Sequence, residues 1–491
     1  MNLKSLYKVL PMSFMAFFIF SLVSPSLGAE ESKRSYRPRE PNLLIDIPLT
    51  IAEDTMINMF GNVWWRLFGA DPEGAYFTPQ TIRINLNPDV WSFEVGQGGD
   101  IFIVNHIFHP YAGGMYFSAA RSNNFNFYWS ALSSAFGSVS YEILGEAKTP
   151  SSSDMINTVL GGMSLGEIVH RLYLELDKGG AGGKIASTML SPTDRITAAV
   201  RGYGPEPGPS KIYDASVGAG FSWVNARFLE ENDTKSTWNQ PAGFITTSVV
   251  YGDPFIQQSK TPFDHFELNL LFAYTLPHKY NVTITSDGYL GSWNLADDEK
   301  NHISNGISLL FDDYIIDTRI GLNNGTENLS INANSLDYSL KWRRFIHNNV
   351  SFSTKFHAGF TPWAVVDYNG GINRDDYNGY VAGGNIKLSL ELRQIKGDTW
   401  ANGYETRGQS LTFNLRFFDT WTLPRTPGVK MNATFTNAEL KWAFPLTEKI
   451  SLYAADSFSI LYCGLIQNRG AEFPDITRLY NCAQLGMQFS F

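Results

Sequence analysis

The sequence predicts an α+β multidomain chain: an apolar, Gly-rich helical N-terminal domain followed by an antiparallel transmembrane β-barrel of about twelve strands. Three observations predict it. The chain has 491 residues, too many for one ordinary core. Charged residues make up 17% and aromatics 14%, a balance that suits a surface partly shown to lipid. Mean hydropathy is −0.16, too low for a bundle of membrane-crossing helices, whereas a barrel needs an apolar residue only at every second strand position. Third, apolar residues recur with a period of two from about Lys211 onward.

In chain order, Met1 to Ala29 has the form of a signal peptide, with Lys4 and Lys8 ahead of an apolar run from Phe14 to Val23 and small residues at Ser26-Leu27-Gly28-Ala29. Residues 30–49 are charged and Pro-containing, as in a linker. Residues 50–205 form the expected helical domain and 206–491 the barrel. Thr50-Ile51-Ala52-Glu53 has capping-box spacing, and Met56, Met59, Phe60, Val63, Trp64 and Leu67 then make an apolar stripe that is expected to pack this helix on its own domain, the alternative being the periplasmic membrane face. Neither Ile101–Ala120 nor Ser122–Tyr141 contains Asp, Glu, Lys or Arg. Three to four packed helices are expected over 101–175, with Gly113, Gly114, Gly161, Gly162 and Gly166 permitting close approach.

The barrel strands are read from alternation. Ala483, Leu485, Met487, Phe489 and Phe491 share one face, and Gln484, Gly486, Gln488 and Ser490 the other. Residues 266–272, 336–343, 386–393 and 411–417 alternate in the same way. Turn clusters such as Asn323-Asn324-Gly325, Asn369-Gly370-Gly371 and Lys396-Gly397-Asp398 separate the runs. A lipid-facing apolar side leaves Glu267, Asp337, Lys341, Arg343, Lys387, Glu391, Arg393, Arg416, Glu439 and Lys441 in the lumen. Both signs are present, so these groups can pair across a narrow interior, as in a closed or plugged barrel. The spacing of Cys463 and Cys482 leaves a disulfide and two buried thiols both open.

A motif series runs through the helical part: His109-Pro110-Tyr111-x-Gly113-Gly114-x-Tyr116-Phe117-x-Ala119-Ala120-Arg121-Ser122-Asn123, then Tyr141-Glu142-x-x-Gly145-Glu146, then Pro150-Ser151-x-x-Asp154 and Gly161-Gly162-x-x-x-Gly166-Glu167-x-x-x-Arg171. Over residues 95–200 it resembles an uncharacterised bacterial domain-of-unknown-function family of envelope proteins, found ahead of a barrel. That family carries Trp where this chain has Tyr141. The resemblance implies the envelope and supplies no activity. More distantly, the order His, Glu, Ser-x-x-Asp, Gly-x-x-x-Gly resembles VanZ-like membrane proteins, which implies envelope-lipid or glycan chemistry; the Arg and Asn that flank the Asp there are missing here.

Four residues form the candidate catalytic set. His109, held at a helix start by Pro110, is a base or ligand, or else a His bonded to a neighbouring carbonyl. Glu142 and Glu146 stand four apart, hence on one helix face, where burial would separate their pKa values. The alternative is a structural ion pair with Arg121 or Arg171. Asp154 is a further acid, or simply the third residue of a helix capped by Ser151. Arg121, Glu167 and Arg171 are candidate ligand-binding residues, with Glu167 and Arg171 also spaced for a salt bridge. Gly179–Lys184 is read as a flexible loop, since Ile185 after Lys184 breaks a phosphate-loop frame.

Nucleic acid is excluded as a partner by the net charge of −9 and the lack of basic runs with interleaved aromatics. No nucleophile elbow, H-E-x-x-H or zinc spacing occurs, so no enzyme class, cofactor or metal is named by the sequence. The expected partners are outer-membrane lipid and, through a terminal strand closing on Phe491, the barrel-assembly machinery. The expected place is the outer membrane, with the helical domain on its periplasmic side. Three functions follow: envelope-lipid binding or modification, structural or assembly work, and a small-solute channel plugged by the helical domain.

Overall fold

The computed structural model describes residues 40–491 apart from 69–71, 93–106, 205–207, 231–232, 256–257, 276–278, 318–328, 348, 369–376, 396–406, 424–429 and 468–474. The expected signal peptide and the three quoted turn clusters lie outside the described residues. The chain divides into a helical unit and a barrel unit.

The helical unit contains α1 (Leu43–Phe68), α2 (Pro79–Asn85), α3 (His109–Ser122), α4 (Phe127–Leu144), α5 (Ser152–Leu176), α6 (Gly180–Leu190) and α7 (Pro192–Arg201). α1 starts inside the expected linker and carries Pro48 within it. Its start is fixed by Asn42, whose side chain accepts from Leu44 N at 3.1 Å while Asn42 N donates to Asp46 Oδ2 at 2.6 Å. Thr50 and Glu53 are therefore helix-interior residues and not a capping box; Thr50 Oγ1 donates back to Asp46 O at 2.8 Å. Residues 179–184 do not form a loop either, because α6 begins at Gly180. Gly183 is required there: a Cβ would stand 2.2 Å from Leu176 O.

The predicted glycine contacts are present where α3 crosses α5. A Cβ on Gly113 would lie 1.9 Å from Thr158 O, and one on Gly166 would lie 2.6 Å from Phe117 Cβ. Only hydrogen allows the two backbones to approach this closely. α3 is almost wholly buried, through small residues and Tyr116 and Phe117.

The apolar stripe of α1 faces the opposite way from the one expected. Met56, Met59, Phe60, Val63 and Leu67 are exposed, together with Leu43, Leu44, Ile45, Ile47 and Ile51. The buried side of α1 is Asp46, Thr50, Glu53, Asp54 and Asn62. α4 repeats the pattern: Tyr128, Trp129, Leu132, Phe136 and Leu144 are exposed, while Ser130, Ser134, Ser138 and Glu142 are buried. The polar sides do the packing. Asn58 Nδ2 on α1 donates to Gly137 O, Ser133 Oγ on α4 donates to Asp54 Oδ2 at 2.9 Å, and Asn62 Nδ2 caps the end of α4 at Gly145 O, 2.6 Å away.

The second unit is a closed antiparallel barrel of twelve strands, β1 (Ile212–Glu230) to β12 (Ile476–Ser490), each paired with its sequence neighbours. β12 closes on β1 in a register running from Ser216↔Ser490 to Glu230↔Ile476, and Phe491 N donates to Ala215 O at 3.1 Å. The predicted face of β12 is the outer one, with Leu485, Met487 and Phe489 exposed. Phe221, Trp223, Leu336, Tyr338, Ile386, Leu411, Trp421, Leu440 and Trp442 continue the apolar exterior around the wall, as a bilayer requires.

The lumen is filled by its own side chains. In one layer an apolar cluster includes Val224, Phe244, Tyr314, Ile331, Phe418, Phe435, Leu461 and Tyr480. Contacts cross the barrel here: the Tyr314 ring of β5 (Asn301–Asp317) lies 4.8 Å from Phe435 of β10 (Lys430–Pro445), and Asn281 Nδ2 of β4 (Lys279–Asp297) donates to Tyr480 Oη of β12 at 2.9 Å. Beside it lies a charged layer. Lys341 Nζ donates to Glu267 at 3.1 Å and Asp287 at 2.9 Å, and Lys355 Nζ reaches Glu267 at 2.7 Å. Arg416 donates to Asp312 at 2.6 Å and to Asn385 Oδ1 at 2.5 Å. Cys463 and Cys482 are buried thiols with no disulfide between them, which decides the question the sequence left open.

Candidate functional site

The seven sequence-selected residues do not form one centre. Asp154 and Glu167 both stand on α5, thirteen residues apart, which is about 20 Å along a helix.

The first group collects where α3 starts beside the N-terminus of α5. His109 opens α3 with Pro110 in its first turn, as expected. Its Nδ1 lies 3.1 Å from Thr158 Oγ1 and its Nε2 lies 3.7 Å from Asp154 Oδ2. Burial disfavours the imidazolium and lowers His109 to about 4, so the ring is neutral at physiological pH. Ser151 caps α5 by accepting from Asp154 N at 3.1 Å, so the capping role of Asp154 holds and leaves its carboxylate directed at His109. Glu142 is buried at the end of α4 and accepts from Ser151 N at 2.8 Å. Glu146 departs from the prediction. α4 ends at Leu144 with Gly145 as its cap, so Glu146 does not share a helix face with Glu142.

The second group is an ion triad. Arg121 donates to Glu167 through Nε at 2.6 Å and Nη2 at 3.1 Å, and Arg171 Nε donates at 2.8 Å. Burial raises Glu167, but the two guanidiniums outweigh it and hold the carboxyl at about 2. The triad carries one net positive charge. Both arginines serve Glu167, not the Glu142/Glu146 pair considered from sequence.

Two further clusters were not selected from sequence. His170 Nδ1 lies 2.6 Å from Asp194 Oδ1, and Ser122 and Ser191 both donate hydroxyls to the same carboxylate. Ser122, His170 and Asp194 border a small cavity with Tyr173, Asp177 and Tyr203. Glu53 accepts from Asn123 Nδ2 at 2.8 Å and Thr197 Oγ1 at 2.6 Å, and Arg201 joins Asn123 to Asp46. Burial raises Glu53 to about 7. Ser191-Pro192-x-Asp194 has the same cap spacing as Ser151-x-x-Asp154, the one signal that could have exposed Asp194. Nothing in the local pattern of α1 marks Glu53 as buried.

In the barrel, ligand atoms of His265, Glu267 and Asp287 all lie within 4.8 Å of one another. Lys341 Nζ stands among them, 2.7 Å from His265 Nε2, and supplies the positive charge this trio needs.

Residues 96–193 match the family model described as Domain of unknown function (DUF3943). The DUF3943 match thus covers every sequence-selected residue, and it bears out the first resemblance; the VanZ-like one gains no such support. The match is followed in the chain by the twelve-strand barrel. No curated protein matches the chain significantly. Among solved structures, it is similar to an outer membrane channel from Pseudomonas putida F1 (13% identity, 58% of this chain and 97% of that one, TM-score 0.27). It is also similar to the Pseudomonas putida toluene transporter TodX (8% identity, 56% and 89%, TM-score 0.25) and to the KdgM porin (10% identity, 55% and 99%, TM-score 0.22). At these scores the likeness carries nothing about cargo or chemistry.

Proposed function

We propose that the chain is an outer-membrane β-barrel protein that handles envelope lipid through its helical unit, with the barrel as a sealed anchor. One observation carries this reading: the long helices bury Asp46, Glu53, Asp54, Glu142, Glu167 and Glu175, while α1 and α4 show apolar side chains outside, the distribution expected of a protein working in contact with lipid. His109, neutral and flanked by Asp154 and Thr158, is the acid/base centre. Glu142 positions it through the Ser151 cap, and the net charge of the Arg121–Glu167–Arg171 triad takes an anionic head group. In this reading the helical unit works on the periplasmic side.

The test is the outer-membrane lipid profile of strains carrying wild type, a deletion, His109→Ala or Asp154→Asn, with heat-modifiable migration showing assembly. Assembled point variants that reproduce the deletion's altered profile support the reading. Assembled variants that match wild type in every lipid species overturn it.

The cross-lumen contacts favour a second reading, a channel shut by its own lining and not by the helical domain. Deleting residues 30–205 would then leave planar bilayers non-conducting, whereas Tyr314→Ala with Phe435→Ala would open discrete conductance steps.

A further inference from the structure

We propose that the outward faces of α1 and α4 form one surface that lies in the hydrocarbon of a phospholipid bilayer. The two helices pack through their polar sides, at Asn58–Gly137 and Asp54–Ser133, so both apolar sides face away from the unit. Leu44 is 88% exposed, Phe60 64%, Trp129 59% and Leu132 56%. Water makes such a surface unfavourable, so an occupant is required.

Charge identifies the occupant. The acids of α1, Asp46, Glu53 and Asp54, are buried, and so is Glu142, the acid of α4. Arg66, in the last turn of α1, is folded over the Tyr76 ring 4.7 Å away. The outward faces of the two helices therefore carry no carboxylate, unlike the charged and polar rim of a protein interface. Exposed apolar residues also continue on other helices, at Ile185 and Met189 of α6 and Val200 of α7. A surrounding apolar medium meets several faces at once; a single docked protein meets one. The interior agrees. Buried polar groups here answer one another across α1, α3, α4 and α7, and the α3–α5 crossing is made through glycine, both habits of lipid-embedded helices.

Among the described residues no helix is long and apolar enough to cross a membrane. α1, about 39 Å long at 26 residues, therefore lies along the bilayer instead of spanning it. Trp64, Trp65 and Arg66 at its end, and Tyr128 and Trp129 at the start of α4, are the residue types that anchor at the headgroup level. This face is independent of the chemistry proposed for His109.

The full chain with Cys463→Ala and Cys482→Ala, reconstituted in phosphatidylethanolamine–phosphatidylglycerol vesicles, is spin-labelled at Phe60→Cys or Leu132→Cys. Leu485→Cys on the barrel exterior and Lys300→Cys in a barrel turn are the lipid and water references. Collision with oxygen and loss of collision with a polar nickel chelate, as at Leu485→Cys, is the expected result. A nickel-accessible label resembling Lys300→Cys overturns the proposal. A label shielded from both reagents overturns it in favour of a protein partner or a second copy. Met56→Cys and Phe136→Cys replace either site if its label blocks heat-modifiable assembly. An unchanged lipid profile for His109→Ala beside oxygen-accessible labels would keep this face and remove the lipid-handling reading.

Discussion

The barrel and the helical unit both hide charge beneath apolar surface, yet they reach that state by different geometry. In the barrel, side chains alternate across a wall one residue thick, so that buried Asp337 sits between outward Leu336 and Tyr338. In the helical unit the same result needs whole helix faces, with Asp46, Glu53 and Asp54 of α1 turned inward and Leu44, Met59 and Phe60 outward. The difference lies in what holds each together. The barrel is closed by a continuous backbone ladder and tolerates a mixed lumen. The helical unit has side-chain packing and polar clusters instead, in which groups such as Glu53, Asn123 and Thr197 answer one another.

The comparison is broken most severely at Lys341. Lys341→Met leaves Glu267 and Asp287 buried without their shared cation, a loss on the order of 3–5 kcal/mol. We expect failure of heat-modifiable assembly, and Lys341→Arg to recover part of it. An assembled, fully stable Lys341→Met barrel would show that the lumen charges are solvated after all.

Next in size is Gly113→Ala, which forces a Cβ to 1.9 Å from Thr158 O. Such overpacking costs about 1–3 kcal/mol. It should lower the helical signal in thermal circular dichroism and leave barrel migration untouched, since the units are separately built. Ser151→Ala removes the α5 cap for about 1 kcal/mol, read by faster amide exchange at Ser153 and Asp154.

The pH response sharpens the contrast further. Glu53 moves from 4.5 to about 7, so its contribution is complete below 4.5 and is lost as pH rises through 7. His109 is lowered to about 4 and Glu167 to about 2. The His109 contribution is present above 6.5 and lost as pH falls to 4, and that of Glu167 is present above 4.5 and lost towards 2. Between pH 4.5 and 6.5 the Glu53 and His109 contributions oppose one another, so denaturant melts of the helical unit should weaken chiefly as pH falls below 4.5, and Glu53→Gln should make stability rise with pH from 4 to 6.5. The smallest effect is expected for Leu132→Ser in detergent, within about 0.5 kcal/mol, as for other surface changes.

What the sequence alone determined is the barrel, with about twelve strands, its closing strand and the charged residues of its lumen, together with glycines that let helices approach closely. Period two assigns opposite faces to neighbouring residues, and in a closed barrel the charged face has only the lumen to enter. The sequence also placed His109 at a helix start and Ser151 as a cap, because both are set by local backbone chemistry. The tertiary structure alone decided which face of α1 is buried. An amphipathic stripe defines two sides of a helix but not which one meets protein, and here the surroundings reverse the rule for water. The structure also separated the candidate residues into clusters. Spacing fixes a face of one helix, but the distance from Asp154 to Glu167, the convergence of Arg121 and Arg171 on one carboxylate, and the meeting of His170 with Asp194 depend on how seven helices pack.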